Sequence, residues 1–362
     1  MSASDVKCHF MQKDSPVHVT LQDVAKLAGV STKTVSRVVN DQGEISAATR
    51  QRVQAAIEQL GYRPNIMARN LVSGRSDTLA VVVWGIDYYG PSRTVIGVEQ
   101  QSDELGYSLF LNLIYRPDET NVSPILDALV ARRVDGIIWA TPEVGENRAW
   151  VKPDWLKHLP PIVFLSMEPR SELSVVAVDN HSGAAQATQH LLDQGRRKIG
   201  LISGPLAWWE ARERYAGWRD TLLRAGLQAS PSLVVNGDWT AASGGQGMRK
   251  LLEQQPDVDA VFVCNDQMAL GALGVAHQLG RCVPRDLAIV GFDNMPESAF
   301  FWPPLTTVYQ QLVDAGCIAV RTLHKLIEAR RQGEDKSEPA ATIFTPELVI
   351  RASSLGTAHG PA

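Results

Sequence analysis

Residues 19–40 read VTLQDVAKLAGVSTKTVSRVVN, and their spacing predicts two short helices folded about one tight turn. The Thr20 hydroxyl can cap the free N–H groups of a helix over 21–28, and Asp23 stands three residues on, near the positive helix end. Gly29 follows where a left-handed residue ends a helix with little strain, and Ser31 is placed to cap a second helix that runs to Asn40. Val24, Leu27 and Ala28 of the first helix and Val35 and Val38 of the second recur at helical spacing and predict one shared core. Thr32, Lys33, Ser36 and Arg37 are left facing outward. A third helix from Ser46 to Leu60 carries Val53, Ile57 and Leu60 on one side and stops at Gly61.

The charge around this helical end is uneven. The chain has 362 residues and a net charge of −4. Residues 1–76 hold ten Lys/Arg against six Asp/Glu, hence +4, and the remaining 25 against 33 give −8. A basic small end on an acidic body is the distribution of a nucleic-acid module fused to something else. The length exceeds what one core usually serves, and a composition of 44% hydrophobic and 20% charged residues is that of a globular protein. No run approaches a membrane span, and residues 1–18 lack the apolar stretch of a signal peptide, so a cytoplasmic location is expected. Residues 1–18 are expected to form a disordered extension and residues 356–362 a tail. Cys8, Cys264, Cys282 and Cys317 stand singly, with no partner at metal-ligand spacing, and read as reduced thiols. Neither a metal nor a cofactor is implied.

The quoted stretch, with the following GYRPN, closely resembles the headpiece signature of the lac repressor (LacI/GalR) family. The resemblance implies a helix-turn-helix domain over residues 19–64 whose second helix lies in the major groove of an operator. Thr32 and Lys33 would read bases with Ser36 and Arg37 beside them, and Thr20, Ser31, Thr34 and Asn40 complete the DNA-binding set. The chemistry agrees: Lys and Arg donate to guanine O6 and N7, Thr offers a hydroxyl and a methyl, and Ser31 at a helix N-terminus can hold a phosphate. In residues 62–76, YRPNIMARNLVSGRS, Pro64 discourages helix at Arg63, Asn65 can cap, and one short helix runs to Leu71. This unit, placed at residues 65–76, resembles the family's hinge helix, in which Asn65, Ala68, Arg69 and Leu71 would meet DNA and Leu71 would wedge into the minor groove.

From Leu79 onward β-branched runs alternate with amphipathic stretches: LAVVV at 79–83, SLFLNL at 108–113, GIIWA at 136–140 and PIVFL at 161–165. The rhythm restarts with KIGLIS at 198–203, AVFVC at 260–264 and LAIVG at 287–291. Helices are expected near 92–105, 122–131, 210–226, 244–255 and 266–279. This is βαβ order run twice, which predicts parallel sheets with helices on both faces in two subdomains. No GxGxxG or GxxxxGK[ST] stretch follows any strand, so no dinucleotide or nucleoside triphosphate site is expected. LISGP, ARERYAGW, GDWTAASGG, CNDQMALGAL, IVGFDN and PPLTTVYQ resemble landmarks of the same family's effector domain, several of them close to the lac repressor branch. The implied fold is an all-α helix-turn-helix headpiece plus an α/β two-lobed effector domain like the periplasmic sugar-binding proteins. Lobe one would hold about 77–178 plus 307–340 and lobe two about 179–306 plus 341–355, joined by three crossings with a ligand between them.

Family positions imply that Arg212, Asn265 and Asp293 hydrogen-bond the effector and that Trp239 forms an aromatic wall. A sugar suits such a set, because vicinal hydroxyls both donate and accept while an aromatic face covers C–H surface. The first lobe departs from the lac repressor branch: Ser166 replaces a carboxylate after the fourth strand. Tyr88-Tyr89 and Trp208-Trp209 make the cleft more aromatic. Tyr88, Tyr89, Ser166 and Trp208 therefore join the expected effector set, for a ligand that is flatter, longer or bound by stacking. The function implied is a sequence-specific transcriptional regulator, a repressor of carbohydrate-utilisation genes released from a palindromic operator by a sugar. The purine repressor branch, whose ligand favours DNA binding, also has adjacent aromatics near Tyr88-Tyr89 and is the alternative. A solute-binding protein would share the α/β fold but carry an export signal and no headpiece, and an enzyme would need Asp293, His181 and Ser166 in a catalytic spacing they lack. Residues 354–362, SLGTAHGPA, contain no leucine heptad, and a homodimer paired through the effector domain is expected.

Overall fold

In the computed structural model the chain divides into two compact units, Met1–Ser76 and Asp77–Ala362. The structure describes residues 19–40, 43–63, 75–333, 339 and 341–355. The expected N-terminal extension, the hinge positions Asn65, Ala68, Arg69 and Leu71, and the C-terminal tail lie outside the described residues.

The first unit contains α1 (Leu21–Ala28), α2 (Thr32–Val39) and α3 (Ala47–Leu60). Thr20 and Asp23 form a reciprocal capping box, Gly29 ends α1 in the left-handed region, and Ser31 and Ser46 cap α2 and α3. Each such cap satisfies otherwise orphaned N–H groups and stabilises by about 1 kcal/mol. The core joins Val24, Ala25, Ala28, Val35, Val38, Val53, Ala56 and Tyr62. One expectation is corrected here. Leu27 is 46% exposed, because at 100° per residue it falls to one side of the arc through Val24, Ala25 and Ala28. Tyr62, inside the 19–64 expected for the headpiece, has its ring in that core.

The second unit is built on β1 (Thr78–Trp84), β2 (Ser108–Ile114), β3 (Gly136–Ala140), β4 (Ile162–Leu165), β5 (Val175–Val178), β6 (Ile199–Ser203), β7 (Val234–Asn236), β8 (Ala260–Val263), β9 (Ala288–Asp293), β10 (Thr306–Tyr309), β11 (Ala341–Phe344) and β12 (Glu347–Val349). Among the described residues they make two six-stranded sheets, ordered β11-β5-β4-β3-β1-β2 and β12-β10-β9-β8-β6-β7. Every pairing is parallel except β10 with β12. Strand β1 shows why: Leu79, Val81 and Val83 enter one apolar cluster while Ala80 and Val82 enter another on the opposite face. A strand apolar on both sides needs helices on both sides.

The lobe boundaries differ from those expected. Strand β10 pairs with β9 in lobe two, and β11 pairs with β5 in lobe one. Residues 341–344 therefore belong to lobe one and 307–309 to lobe two, and the crossings follow β5, β10 and β11. Four-residue strands such as TTVY and ATIF carry too short a pattern for periodicity to place them in a sheet. Strands β5, β7 and β12 and the helices Asn180–Asp193 and Leu312–Arg331 were likewise without a sequence expectation.

Helix Leu312–Arg331 returns to lobe one and crosses helix Tyr89–Glu104 at a pair of glycines. A Cβ on Gly97 would stand 1.9 Å from the Val313 carbonyl oxygen, and one on Gly316 would stand 2.2 Å from that of Thr94. Both backbones are rigid, so the helices would have to separate. Gly97→Ala should accordingly lower the stability of the larger unit by about 1–3 kcal/mol, outweighing the gain of about 1 kcal/mol in helix propensity. Urea unfolding followed by tryptophan fluorescence measures this; an unchanged or raised midpoint would contradict the close crossing.

Candidate functional site

Helix α2 exposes Thr32, Lys33 and Arg37, with Thr34, Ser36 and Asn40 partly buried. Local bonds occupy several of the expected polar contacts. The Ser31 hydroxyl accepts from the Thr34 N–H at 3.1 Å and pairs with the Thr34 hydroxyl at 2.9 Å. Asn40 Nδ2 donates to the Ser36 hydroxyl at 3.3 Å, and the Thr20 hydroxyl donates to Asp23 at 2.7 Å. The side chains left to project are Thr32, Lys33 and Arg37, a basic, acid-free face capped by a helix N-terminus.

In the second unit a cleft opens at the carboxyl ends of the parallel strands, where α/β sheets place ligands. It is lined from lobe one by Trp84, Tyr88, Tyr89 and Ser166 and from lobe two by Trp208, Glu210, Arg214, Trp239, Asn265 and Asp293. Seven of the eight expected effector residues stand here; Arg212 does not. Its rings form a chain: Trp84 stacks on Tyr88 at 5.2 Å and meets Trp208 edge-on at 5.0 Å, and Trp208 meets Trp239 edge-on at 5.7 Å. Three lining residues have left-handed or related backbone, Ser166 (φ 56°), Trp239 (φ 75°) and Asp293 (φ 116°). Each costs on the order of 1–3 kcal/mol in a non-glycine residue, and such strain concentrates at ligand clamps. Trp239 fits only because residue 204 is glycine: a Cβ there would lie 2.1 Å from the indole.

Arg212 is corrected by helix geometry. Helix Trp209–Arg224 turns Ala211, Arg214, Trp218, Thr221 and Leu222 inward, and two residues, or about 200°, separate Arg212 from Arg214. Arg212 is exposed and donates to the Ala207 carbonyl at 2.8 Å. Arg214 is the buried guanidinium. Its Nε donates to Asn180 Oδ1 at 2.8 Å, Nη1 donates to the Cys264 carbonyl, and its Cζ lies 3.8 Å from the Phe292 ring centroid. The spacing 214, 218, 221, 222 carries the signal that identifies it; Trp84, Glu210 and Gln310 had none.

The charge balance around Arg214 follows from burial. Desolvation pushes the Asp293 carboxyl up to about 6, opposed by Arg214 and by Gln310, whose Nε2 donates to Asp293 Oδ1 at 2.6 Å. Asp266 lies behind it, pushed up to about 8 by burial and by Asp293, and accepts from Thr307 Oγ1 at 2.6 Å and the Met295 N–H at 2.9 Å. Asn265 caps the helix Asp266–Gln278 through Oδ1 and donates Nδ2 to the Trp239 carbonyl at 3.0 Å, so it fixes the strained Trp239 backbone.

One strap joins the lobes beside the cleft. The Trp209 N–H donates to the Glu143 carbonyl at 3.0 Å and the Gly145 N–H to the Ala207 carbonyl at 3.2 Å, pairing Val144 with Trp208 as an antiparallel bridge. The Trp209 indole, at the start of a lobe-two helix, packs in the apolar core of lobe one. Glu143 anchors the strap by accepting from Arg170 at 2.6 Å and from the Glu168 N–H at 2.8 Å.

Comparison with known proteins agrees with both parts. Residues 20–65 match the family of bacterial regulatory proteins, lacI family, and residues 188–354 match a periplasmic binding protein-like domain. The HTH-type transcriptional repressor PurR of Haemophilus influenzae is 34% identical over 336 residues, which cover 92% of this chain and 98% of that protein. A crystal structure of the lac repressor dimer bound to operator and the anti-inducer ONPF aligns with a TM-score of 0.85 at 32% identity, over 93% of this chain and 99% of the other. The transcriptional regulator CelR in complex with cellobiose aligns with a TM-score of 0.69 at 34% identity, over 92% of this chain and 99% of the other. Sharing this identity along almost the full length of its relatives, the chain belongs to the lacI family of DNA-binding transcriptional repressors.

Proposed function

We propose that this repressor is controlled by a saccharide held between its two lobes and that it binds a palindromic operator as a homodimer. The observation that carries the first part is the cleft itself: a run of four aromatic rings beside the buried Arg214 and Asp293. A pyranose has apolar C–H faces that rings cover and hydroxyls that a guanidinium and a carboxyl can each engage. The CelR–cellobiose complex supports a saccharide; the similarity to the repressor PurR makes purines the comparison to run against it. Thermal-shift measurements with monosaccharides, disaccharides and purines decide between them, since a ligand at 100 times its Kd stabilises by about 2.7 kcal/mol. Stabilisation by purines alone would replace the saccharide reading.

The cleft geometry makes one residue contrast decisive. Arg214→Lys keeps a positive charge but loses the planar fork and the contact with Phe292, and should weaken ligand binding roughly tenfold or more. Arg212→Ala removes an exposed side chain and should leave the ligand Kd within about twofold, consistent with the small effect of surface substitutions. Calorimetry on both variants checks this, and a ligand lost with Arg212 instead would reverse the assignment.

On the headpiece, Lys33→Ala and Arg37→Ala should each cost about 1–3 kcal/mol of operator affinity without unfolding. Fluorescence anisotropy at one fixed salt concentration, with circular dichroism as the folding control, measures it, because DNA affinity is salt-dependent. Full affinity in both variants would remove α2 from the groove.

The homodimer reading draws on the dimeric lac repressor relative and on a feature of lobe two. Phe300 and Trp302 are 87% and 91% exposed, large rings that a second copy would cover. Sedimentation at micromolar concentration should give a dimer, with Trp302→Ala shifted towards monomer; a monomeric parent protein bound to operator would overturn it.

A further inference from the structure

Asp293 reaches the cleft from a strained stretch of backbone. It ends β9 at φ 116°, outside even the left-handed well, and Asn294 follows at φ 53°. Two such residues in succession persist only where the surroundings over-determine them. The groups that do so are not cleft residues. The Met295 N–H donates to Asp266 Oδ2 at 2.9 Å and the Asn294 N–H to Thr307 Oγ1 at 3.2 Å, while the Thr307 hydroxyl donates to Asp266 Oδ1 at 2.6 Å. One carboxyl thus holds both peptide N–H groups that follow Asp293, one directly and one through Thr307. Arg351 closes the turn, its Nη2 donating to Asn294 Oδ1 at 2.8 Å.

Asp266 itself is fully buried and does not line the cleft. The chain around it makes its place: a Cβ on Gly291, two residues before Asp293, would stand 2.3 Å from Asp266 Oδ1. Burial and the Asp293 carboxyl disfavour a charge there, Arg351 and the two donors favour one, and burial prevails. A second carboxyl beside the first is therefore a costly way to fill this space. An acid at the first position of helix Asp266–Gln278 is ordinary, because it meets the positive helix end. Yet the oxygens of Asp266 bond to the turn after Asp293 and to β10, and the cap of that helix is Asn265. We infer that Asp266 is a positioning residue of the effector site: through Met295 and Thr307 it holds the turn that aims the Asp293 carboxyl into the cleft. Gln310 bonds that carboxyl, and Asp266 sets the backbone that carries it. A polar group about 1 Å out of place is enough to spoil a site whose other parts are present.

This inference rests on the reading of the cleft as the effector site, and the two fail separately. Full-length Asp266→Ala, Asp266→Asn and Thr307→Val are crystallised beside the parent, and each is titrated calorimetrically with those of glucose, galactose, lactose, cellobiose, hypoxanthine and guanine that bind the parent. Asp266→Ala and Thr307→Val should each displace the Asp293 carboxyl by about 1 Å or more and weaken binding roughly tenfold or more. Asp266→Asn keeps an oxygen for the Met295 N–H and should bind close to the parent. Thr307→Val leaves the end of helix Asp266–Gln278 untouched, so a role confined to that helix end would not be reproduced by it. An Asp293 carboxyl that stays in place in both variants would overturn the inference, as would unchanged affinity for a probe that the parent binds. A shifted helix with Asp293 in place would assign Asp266 to the helix end alone. Binding of purines and of no saccharide would remove the saccharide reading, while the displacement and the purine affinities still decide on Asp266. If no member of the panel binds, the crystallographic position of Asp293 decides; if Asp266→Ala does not fold, Thr307→Val carries the same test.

Discussion

The effector domain is organised around the Arg214 guanidinium. Its partners come from five separate places in the chain: Asn180 after β5, the Cys264 carbonyl after β8, Phe292 on β9, the Trp239 ring, to whose centroid it stands 5.6 Å away, and the field of the Asp293 and Glu210 carboxyls. An unpaired charge at this depth would cost several kcal/mol, so the groups around it must be held in place for it to be tolerated. That requirement fixes the ends of β8 and β9, and with them Asn265, Asp266 and Asp293. It also explains why a helix with little amphipathic bias sits firmly: Trp218 and Leu222 bury one face while Arg214 ties its second turn to Asn180 and to the end of β8.

The same helix couples the lobes. Its first residue, Trp209, packs in the lobe-one core, its cap, Trp208, bridges Val144, and its second residue, Glu210, faces Ser166 across the cleft. Arg214, one turn on, holds the lobe-two side. A displacement of this helix end would therefore alter the strap, the cleft and the indole's seat together. Two packed elements that cannot deform gradually are the usual means by which a small shift at a ligand becomes a discrete rearrangement.

Much of this was legible in the sequence, for local reasons. The caps at Thr20 and Ser31 depend on side chains within three residues, and the runs that became β1, β3, β6, β8 and β9 are apolar enough to announce buried strands. The cleft residues Ser166, Asn265 and Asp293 came from the family resemblance, and each stands at or just after the end of such a strand. What failed depended on phase or on distant partners. Arg212 and Arg214 differ by two positions, which is nothing in an alignment and half a turn on a helix. Strands β10 and β11 are too short to show which sheet they join, and the exchange that sends them to different lobes is set by β9 and β5, far away in the chain. Glu210 gives no signal in sequence because its meaning lies in what surrounds it.

The cleft also has an energetic character that bears on control. Ser166, Trp239 and Asp293 hold strained backbones, Asp293, Asp266 and Glu210 hold carboxyls raised by burial, and the Trp239 indole N–H has no partner among the described residues. The raised carboxyls and the unpaired indole N–H lower the stability of the unliganded fold, and a ligand with matching donors and acceptors would partly relieve those that line the cleft. These groups stand on lobe two, while lobe one brings Trp84, Tyr88, Tyr89 and Ser166 to the same space, so a ligand engages both sets only in an arrangement in which both lobes reach it. A ligand shifts an equilibrium by no more than its difference in affinity for the two states. Contacts drawn from both sides of the cleft create that difference, and typical coupling of about 1–3 kcal/mol corresponds to a 5- to 150-fold change in affinity at a second site.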